Sequence, residues 1–396
     1  MSGDGEELRD LRVGLLYDSV SANTGDIAIG IAGIQELARH GVEGTVVLDP
    51  FGPDLDSVDA VVVGGGELIR PVGDPFYDTF RLEGGTFLNA AGVRLAADHL
   101  EYLRDYEVVS ARSTVEAEVL SRFVDDVRVV PCTTTTLESD PYDIPGLGDD
   151  EPVVGIHVVP HTLELVPQLV ELIDAIPYRK VFIPFTHYNY DDSFMSAVPF
   201  DRRDAIWLPR LSPLELHAAI RRMTYVVTSS LHASLFAYSQ NVPFVSVHQE
   251  KVASYFGDRG LERFVFRSAA QFREAVEEVQ SGEVDFSELV RRDREGVHDV
   301  YAAYAAALGR RGRRRTVDAP PTEGTSALDA QRVVSTQREG VVLQRDAVLH
   351  QLYLRVLGAE RNEHIWHAEA DRLAARVAEL EARVTALEPA GRGRVR

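Results

Sequence analysis

From about residue 12 to about residue 270, short β-rich apolar runs alternate with amphipathic helical stretches, and this alternation restricts the chain to parallel α/β architecture. In the first half, strands are expected at residues 13–16, 45–48, 60–63, 107–110 and 127–130. Between the first two, Ile27, Ile31, Ile34 and Ala38 fall on one face at helical spacing, behind Asn23 and Thr24 as a cap. A stretch rich in Pro, Gly and Asp over residues 139–150 then separates a second set of strands, expected at 153–158, 180–184, 205–208, 225–228 and 244–247, with helices around 164–176 and 213–222. The expected fold is two Rossmann-like domains, 1–150 and 151–309, facing each other across a cleft. Open parallel sheets bind ligands at the carboxyl ends of their strands, so such a cleft is where a site is expected.

Helical segments continue to Leu308 and are followed by the basic run 310–315 and a Pro/Thr/Ser/Gly stretch. Residues 310–340 read as a solvated, flexible linker; the alternative is a basic contact with anionic headgroups or a phosphate-bearing acceptor. In the tail, Val342, Leu349, Leu352, Val356, Ala359, Trp366, Ala370, Leu373, Val377, Leu380, Val384 and Leu387 keep a 4-3 spacing, interrupted at Arg345 and Glu363. That seam predicts a coiled-coil helix over 341–388 and self-association into a homo-oligomer.

At 396 residues the chain exceeds what a single core organises, and 45% hydrophobic with 26% charged residues is globular composition. A formal charge of -21 argues against nucleic acid as a partner. The single cysteine, Cys132, excludes an internal disulfide framework and a cysteine-based zinc site. The acidic opening lacks the features of a secretion signal, and no run approaches the roughly 20 apolar residues that cross a bilayer. The expectation is a cytoplasmic protein with at most peripheral contact to the inner face of the membrane. Only Lys180 and Lys251 are lysines, so almost all positive charge is arginine.

Three segments concentrate chemistry. Asn23-Thr24-Gly25-Asp26 follows the first strand and opens the first helix, presenting free backbone amides; Asp26 there suits a hydroxyl-rich ligand better than a phosphate. Gly64-Gly65-Gly66-Glu67 follows the strand 60–63, where glycines let the backbone turn sharply against a ligand. It is not a G-x-G-x-x-G fingerprint, so a nicotinamide cofactor is disfavoured. Finally, the strand 225–228 runs into Ser229-Ser230-Leu231-His232-Ala233, placing hydroxyls, amides and an imidazole at a helix start, with Lys251 after the next strand. A histidine near a helix start, taken alone, is more often a structural hydrogen-bonding residue.

In chain order over roughly residues 12–265, these segments resemble the polysaccharide pyruvyl transferase family. The family's Asn-x-Gly-Asp turn is matched by Asn23 to Asp26, its glycine triplet by Gly64, Gly65 and Gly66, its Ser-x-Arg-Asp-like turn in part by Ser110-Ala111-Arg112, and its Ser-Arg-Leu-His-Ala segment by Ser229 to Ala233, followed by Val242-Pro243 and Lys251. Ser230 stands where the family has an arginine that holds the donor's anionic groups, and Ser113 where an aspartate follows. The resemblance implies a glycosyltransferase-B-like fold and transfer of pyruvate from phosphoenolpyruvate to hydroxyls of a saccharide, free or lipid-linked, in cell-envelope polysaccharide synthesis. It implies no cofactor beyond that donor substrate and no metal. On this reading His232 is the acid or a phosphate donor, and Asp26 a base or sugar contact. Arg112 and Lys251 clamp anions, and Asn23, Gly25, Gly64, Gly65, Gly66, Glu67, Ser229 and Ser230 bind substrate.

Two other readings stand beside it. One is a nucleotide-sugar-dependent glycosyltransferase on the same architecture, since a ribose-diphosphate donor also uses glycines and helix N-termini. The other is a catalytically degenerate scaffold. A serine hydrolase lacks its G-x-S-x-G elbow. His157 and His161, four apart but separated by Pro160, do not form a helical metal pair; His187, Asp191 and Asp192 read as solvated loop residues, the alternative being that they line the cleft from a loop.

Overall fold

The computed structural model describes residues 8–149, 151–187 and 191–311. The expected linker over 310–340, beyond Arg311, and the expected coiled coil over 341–388 lie outside the described residues. All described residues belong to one compact unit within Met1–Pro321.

Two six-stranded parallel sheets form the frame. The first contains β1 Arg12–Leu16, β2 Gly44–Val47, β3 Ala60–Gly64, β4 Phe87–Ala91, β5 Val108–Ala111 and β6 Val127–Val129, in the order β2-β1-β3-β4-β5-β6. The second contains β7 Val153–His157, β8 Arg179–Phe182, β9 Ile206–Trp207, β10 Tyr225–Thr228, β11 Phe244–Val247 and β12 Val265–Phe266, in the order β12-β11-β10-β7-β8-β9. Chain direction across the sheet reverses between β1 and β3 in the first and between β7 and β10 in the second. Loops leaving adjacent strands diverge at such a reversal and open a crevice, so the topology alone marks two ligand positions.

Several elements differ from the sequence reading. β4 carries the sequence Phe-Leu-Asn-Ala-Ala between glycines, which gives no alternating or β-branched signal, yet it is fully buried in the centre of the first sheet. Its register shifts between Leu88 and Ala91, where Ala90 takes a positive φ of 41°. β12 has two residues, too few for a pattern. The helix expected over 164–176 is two helices, Pro160–Leu165 and Leu169–Asp174, because Pro167 lacks the amide needed to carry the first one on.

Two helices tie the sheets together. Thr24–Arg39 contributes Ala28, Ile29 and Ala32 to the hydrophobic core that also contains Val154, Val226 and Phe236 of the second half, while its Leu37 packs with Val13 and Leu15 of the first. Small residues make that double packing sterically possible. The last helix, Ser287–Arg311, sits on the second core through Val290 and crosses to the first through Val297, Val300, Tyr301, Tyr304 and Leu308. Asp293 holds it to the second half through Tyr238 Oη (3.0 Å) and Arg259 Nε (2.5 Å). Tyr304 holds it to the first, its hydroxyl 2.7 Å from Thr86 Oγ1 and its ring 4.9 Å from that of Phe87. Among the described residues, no helix is long and apolar enough to cross a membrane.

Because Tyr304 is fully buried, Tyr304→Ala is expected to lower unfolding free energy by about 3–5 kcal/mol through the cavity it leaves. Tyr304→Phe is expected to cost only about 1 kcal/mol, since it removes one hydrogen bond and keeps the ring. Chemical denaturation of the two variants checks both values.

Candidate functional site

At the reversal in the first sheet, β1 leads through Tyr17 and Asp18 into Asn23, which caps the helix Thr24–Arg39. The Asn23 Oδ1 accepts from Gly25 N (3.2 Å), and its Nδ2 donates to Asp26 Oδ2 (2.6 Å). On the other side of the reversal, β3 ends in Gly64, Gly65 and Gly66, all at positive φ (133°, 82° and 72°). A Cβ on Gly66 would lie 2.2 Å from Asp26 Oδ1. The glycine turn therefore lies directly on the Asp26 carboxyl, while Gly64 and Gly65 fit against Asn89 and Ile29.

The reversal in the second sheet supplies His232. Ser230 caps the helix Leu231–Ser239, its Oγ accepting from Ala233 N (3.5 Å), and its own amide donates to Thr228 Oγ1 (3.0 Å). His232 follows in the first turn and faces the first half so closely that a Cβ on Gly25 would stand 1.9 Å from its Nδ1. The imidazole is 8% exposed. Its Nε2 is 3.9 Å from Cys132 Sγ, and burial pushes that thiol's pKa up, so Cys132 is the donor. The two reversals thus meet at one point: Gly25 carries His232 on one side, and the next residue, Asp26, rests against Gly66.

Two cations border this point. Arg112, 2% exposed, follows β5; its Nε donates to Glu116 Oε1 (2.9 Å). Its Nη2 is also 2.9 Å from that oxygen but lacks hydrogen-bond geometry, and it points at the backbone of Gly92, where a Cβ would be 2.3 Å away. Burial opposes the Arg112 charge, but the Glu116 carboxylate more than offsets it and holds the guanidinium protonated. Ser113 caps the helix Thr114–Leu120 and donates to Glu116 Oε2 (2.7 Å), so the carboxylate beside Arg112 comes from one turn further along the chain. Lys251, in the first turn of the helix Glu250–Gly257, feels the charges of Glu67, Arg112 and Asp26, and burial lowers its pKa from the usual lysine value.

Low dielectric and these neighbours reverse the ordinary protonation order of the two central groups. Burial, with a contribution from Asp18, pushes the Asp26 carboxyl up to about 8, Lys251 and Arg112 opposing. Burial, with Arg112 and Lys251 adding to it, pushes His232 down to about 3. Near neutrality Asp26 carries a proton and the imidazole does not.

Of the residues singled out in the sequence, Asn23, Gly25, Asp26, Gly66, Glu67, Arg112, His232 and Lys251 gather here. Ser229 turns away, its hydroxyl bonded to Thr162 and its carbonyl accepting from Gln249 Nε2 (2.6 Å). Sequence reasoning missed Asn89, Cys132, Thr133 and Glu116. Thr133 Oγ1 donates to Asn89 Oδ1 (3.0 Å), and the run Thr133–Thr136 is buried throughout; four consecutive hydroxyls after a strand were the available signal. Asp191, read as a solvated loop residue, is instead buried: Phe185 N (2.5 Å), Thr186 N (2.6 Å) and His157 Nε2 (3.0 Å) converge on its Oδ2. Burial alone would raise its pKa, but these partners hold it well below the usual carboxylate range. His157 in turn braces the turn before His232 through Thr228 Oγ1 (3.3 Å) and Ser229 N (3.4 Å).

Gly25→Ala places a methyl group inside the His232 ring, so the ring must leave its seat. This variant is expected to keep the fold at a cost of about 1–3 kcal/mol while abolishing whatever ligand binding wild-type protein shows by calorimetry.

A family model described as polysaccharide pyruvyl transferase matches residues 23–248, more than half of the chain. No curated protein matches significantly. Among solved structures, the chain is similar to the S. aureus MnaA-UDP co-structure (11% identity, TM-score 0.47, covering 75% of this chain and 94% of that one). It is also similar to the UDP-N-acetylglucosamine 2-epimerase from Rickettsia bellii (13%, 0.48, 76% and 97%) and to the spinosyn rhamnosyltransferase SpnG (11%, 0.38, 75% and 98%). The matched segment runs from Asn23, through the glycine turn and Arg112, to His248 just past His232, and the chain belongs to the polysaccharide pyruvyl transferase family.

Proposed function

We propose that this protein transfers pyruvate from phosphoenolpyruvate to two hydroxyls of a saccharide, forming a cyclic ketal and releasing phosphate. The observation carrying the proposal is the meeting of the buried Asp26 carboxyl, the His232 imidazole and the side chains of Arg112 and Lys251 where the strand reversals of the two parallel sheets join. The donor needs cations for its carboxylate and phosphate, a proton for its methylene carbon, and an acceptor for protons leaving the sugar.

Asp26 is assigned as the acid. It gives its proton to C3 of phosphoenolpyruvate, the C2–C3 double bond is consumed, and positive character develops at C2. A sugar hydroxyl attacks C2 and its proton passes to His232, which is neutral and able to accept it. A second hydroxyl then displaces phosphate from C2: the bond between C2 and the bridging oxygen of the phosphate breaks with its electron pair on that oxygen, the second hydroxyl's proton goes to the leaving phosphate, and the proton held by His232 is returned to Asp26 through solvent. Lys251 offsets part of the donor's charge, Arg112 remains paired with Glu116, and Asn23, by donating to Asp26 Oδ2, fixes the carboxyl so that its proton is presented in one direction. The sequence reading made His232 the acid or a phosphate donor and Asp26 a base or sugar contact; the protonation order set by burial favours Asp26 as the acid and His232 as the base.

Thermal unfolding in the presence of phosphoenolpyruvate and of several sugar nucleotides separates this reading from a glycosyltransferase. At a hundred times its Kd a donor adds about 2.7 kcal/mol to stability. Phosphoenolpyruvate is expected to raise Tm and sugar nucleotides are not; the reverse result assigns the site to a nucleotide-sugar donor, and a response to neither favours a scaffold. His232→Ala is expected to lower turnover by about 10²–10⁴-fold without loss of fold.

The pH dependence follows from Asp26. The acid form exists below its raised pKa, so kcat/KM is expected to fall as pH rises through about 8. If the residual activity of Asp26→Asn keeps the same alkaline limb, another group owns it and Asp26 is not the acid.

A further inference from the structure

Arg94 and Arg70 share one carboxylate oxygen beside the glycine turn. Glu67, the residue after the glycine turn, accepts through Oε1 from Arg94 Nε (2.7 Å), has Arg94 Nη2 at 2.7 Å, and has Arg70 Nη2 at 3.3 Å. Two positive charges against one negative charge leave this trio with a surplus of +1. Its place is fixed by the backbone: Gly92 N donates to Gly66 O (2.7 Å), and Arg94 N donates to Ile69 O (2.9 Å). The strand end carrying Arg94 therefore runs beside the glycine turn, two residues from the point where Arg112 Nη2 meets Gly92. Lys251 lies close enough to be influenced by both Glu67 and Arg94.

The remaining cations do not balance the proposed donor. Its carboxylate and phosphate together carry about three negative charges near neutrality. Arg112 is already neutralised by Glu116, His232 is uncharged, and Lys251 supplies at most one charge. The helix start at Ser230 offers a hydroxyl used as a cap, and no cation. The trio is the next source of positive charge. Within it Arg70 is fixed by stacking on Tyr77, its Cζ 3.5 Å from the ring centroid, whereas the Arg94 side chain is 56% exposed against 19% for Glu67.

We infer that Arg94 is a second anion clamp for the donor, held by Glu67 in the free protein and transferred to the donor's phosphate on binding. A guanidinium takes two phosphate oxygens in parallel, a stronger pairing than the single Glu67 oxygen it gives up. The phosphate then lies against the solvent-exposed Arg94 side chain, from which it leaves after C2 has been attacked. The inference rests on the proposed donor for its catalytic meaning.

The test is calorimetric binding of phosphoenolpyruvate, inorganic phosphate and pyruvate to wild-type protein, Arg94→Ala, Arg94→Lys and Glu67→Gln, with thermal midpoints recorded for each. Arg94→Ala is expected to unfold at the wild-type midpoint and to weaken phosphoenolpyruvate and phosphate by about tenfold or more, leaving pyruvate unchanged. Arg94→Lys is expected to recover only part of the loss, because an ammonium cannot pair bidentately. Glu67→Gln is expected to bind phosphate at least as tightly as wild type, since the competing anion is gone. If Arg94→Ala binds inorganic phosphate as wild type does, or weakens pyruvate equally, the inference is overturned. Failure of wild-type protein to bind phosphoenolpyruvate would remove the proposed donor instead, and the phosphate comparison would still decide the role of Arg94.

Discussion

The absence of a side chain at Gly25 is the constraint on which the site depends. His232 belongs to the second sheet's half, and it reaches the first only because the opening turn of the helix Thr24–Arg39 leaves room for an imidazole against bare backbone. The same helix brings Ala28 and Ala32 into the second half's core, so close approach is maintained along its length. Ser287–Arg311, anchored in both cores, holds the halves in that relation from behind. The site is therefore a product of how two otherwise ordinary parallel sheets abut, and neither sheet contains it alone.

Joining the two strand reversals also excludes water, and the electrostatics follow from that. A carboxyl surrounded by Asp18, a glycine turn and the Asn23 amide group is less costly to keep neutral than charged, and an imidazole beside Arg112 and Lys251 stays neutral in the free protein, before an anionic ligand offsets those charges. Paired groups whose environments drive their protonation in opposite directions are what acid-base chemistry at neutral pH requires. Arg112 shows the complementary solution: buried with its counter-ion Glu116, it remains charged but contributes little net charge to a ligand.

Much of this was legible in the sequence because its signals are local. Ten of the twelve strands announced themselves as short apolar runs, and Asn23, the glycine triplet and Ser230-Leu231-His232 marked the ends of strands β1, β3 and β10, which flank the reversals. β4 was not legible, since Asn89 and the flanking glycines imitate a loop; its burial is imposed by neighbours on both sides. Glu116 was hidden for a related reason. Its role is set by a helical turn that returns it to Arg112, where the sequence shows only a serine at position 113. Protonation was the least legible property, because it depends on burial created by residues a hundred or more positions apart, such as Cys132 and Gly25 beside His232.

A crystal structure of the wild-type protein with phosphoenolpyruvate most directly tests the claim that the donor docks where the two halves touch. The account predicts the ligand between Gly25 and Lys251, its C3 within reach of the Asp26 carboxyl and its anionic oxygens hydrogen-bonded to Lys251 and to backbone amides of the Gly66 turn. Phosphoenolpyruvate bound on another surface, with His232 still closed against Gly25 and no ligand atom near Asp26, would contradict it.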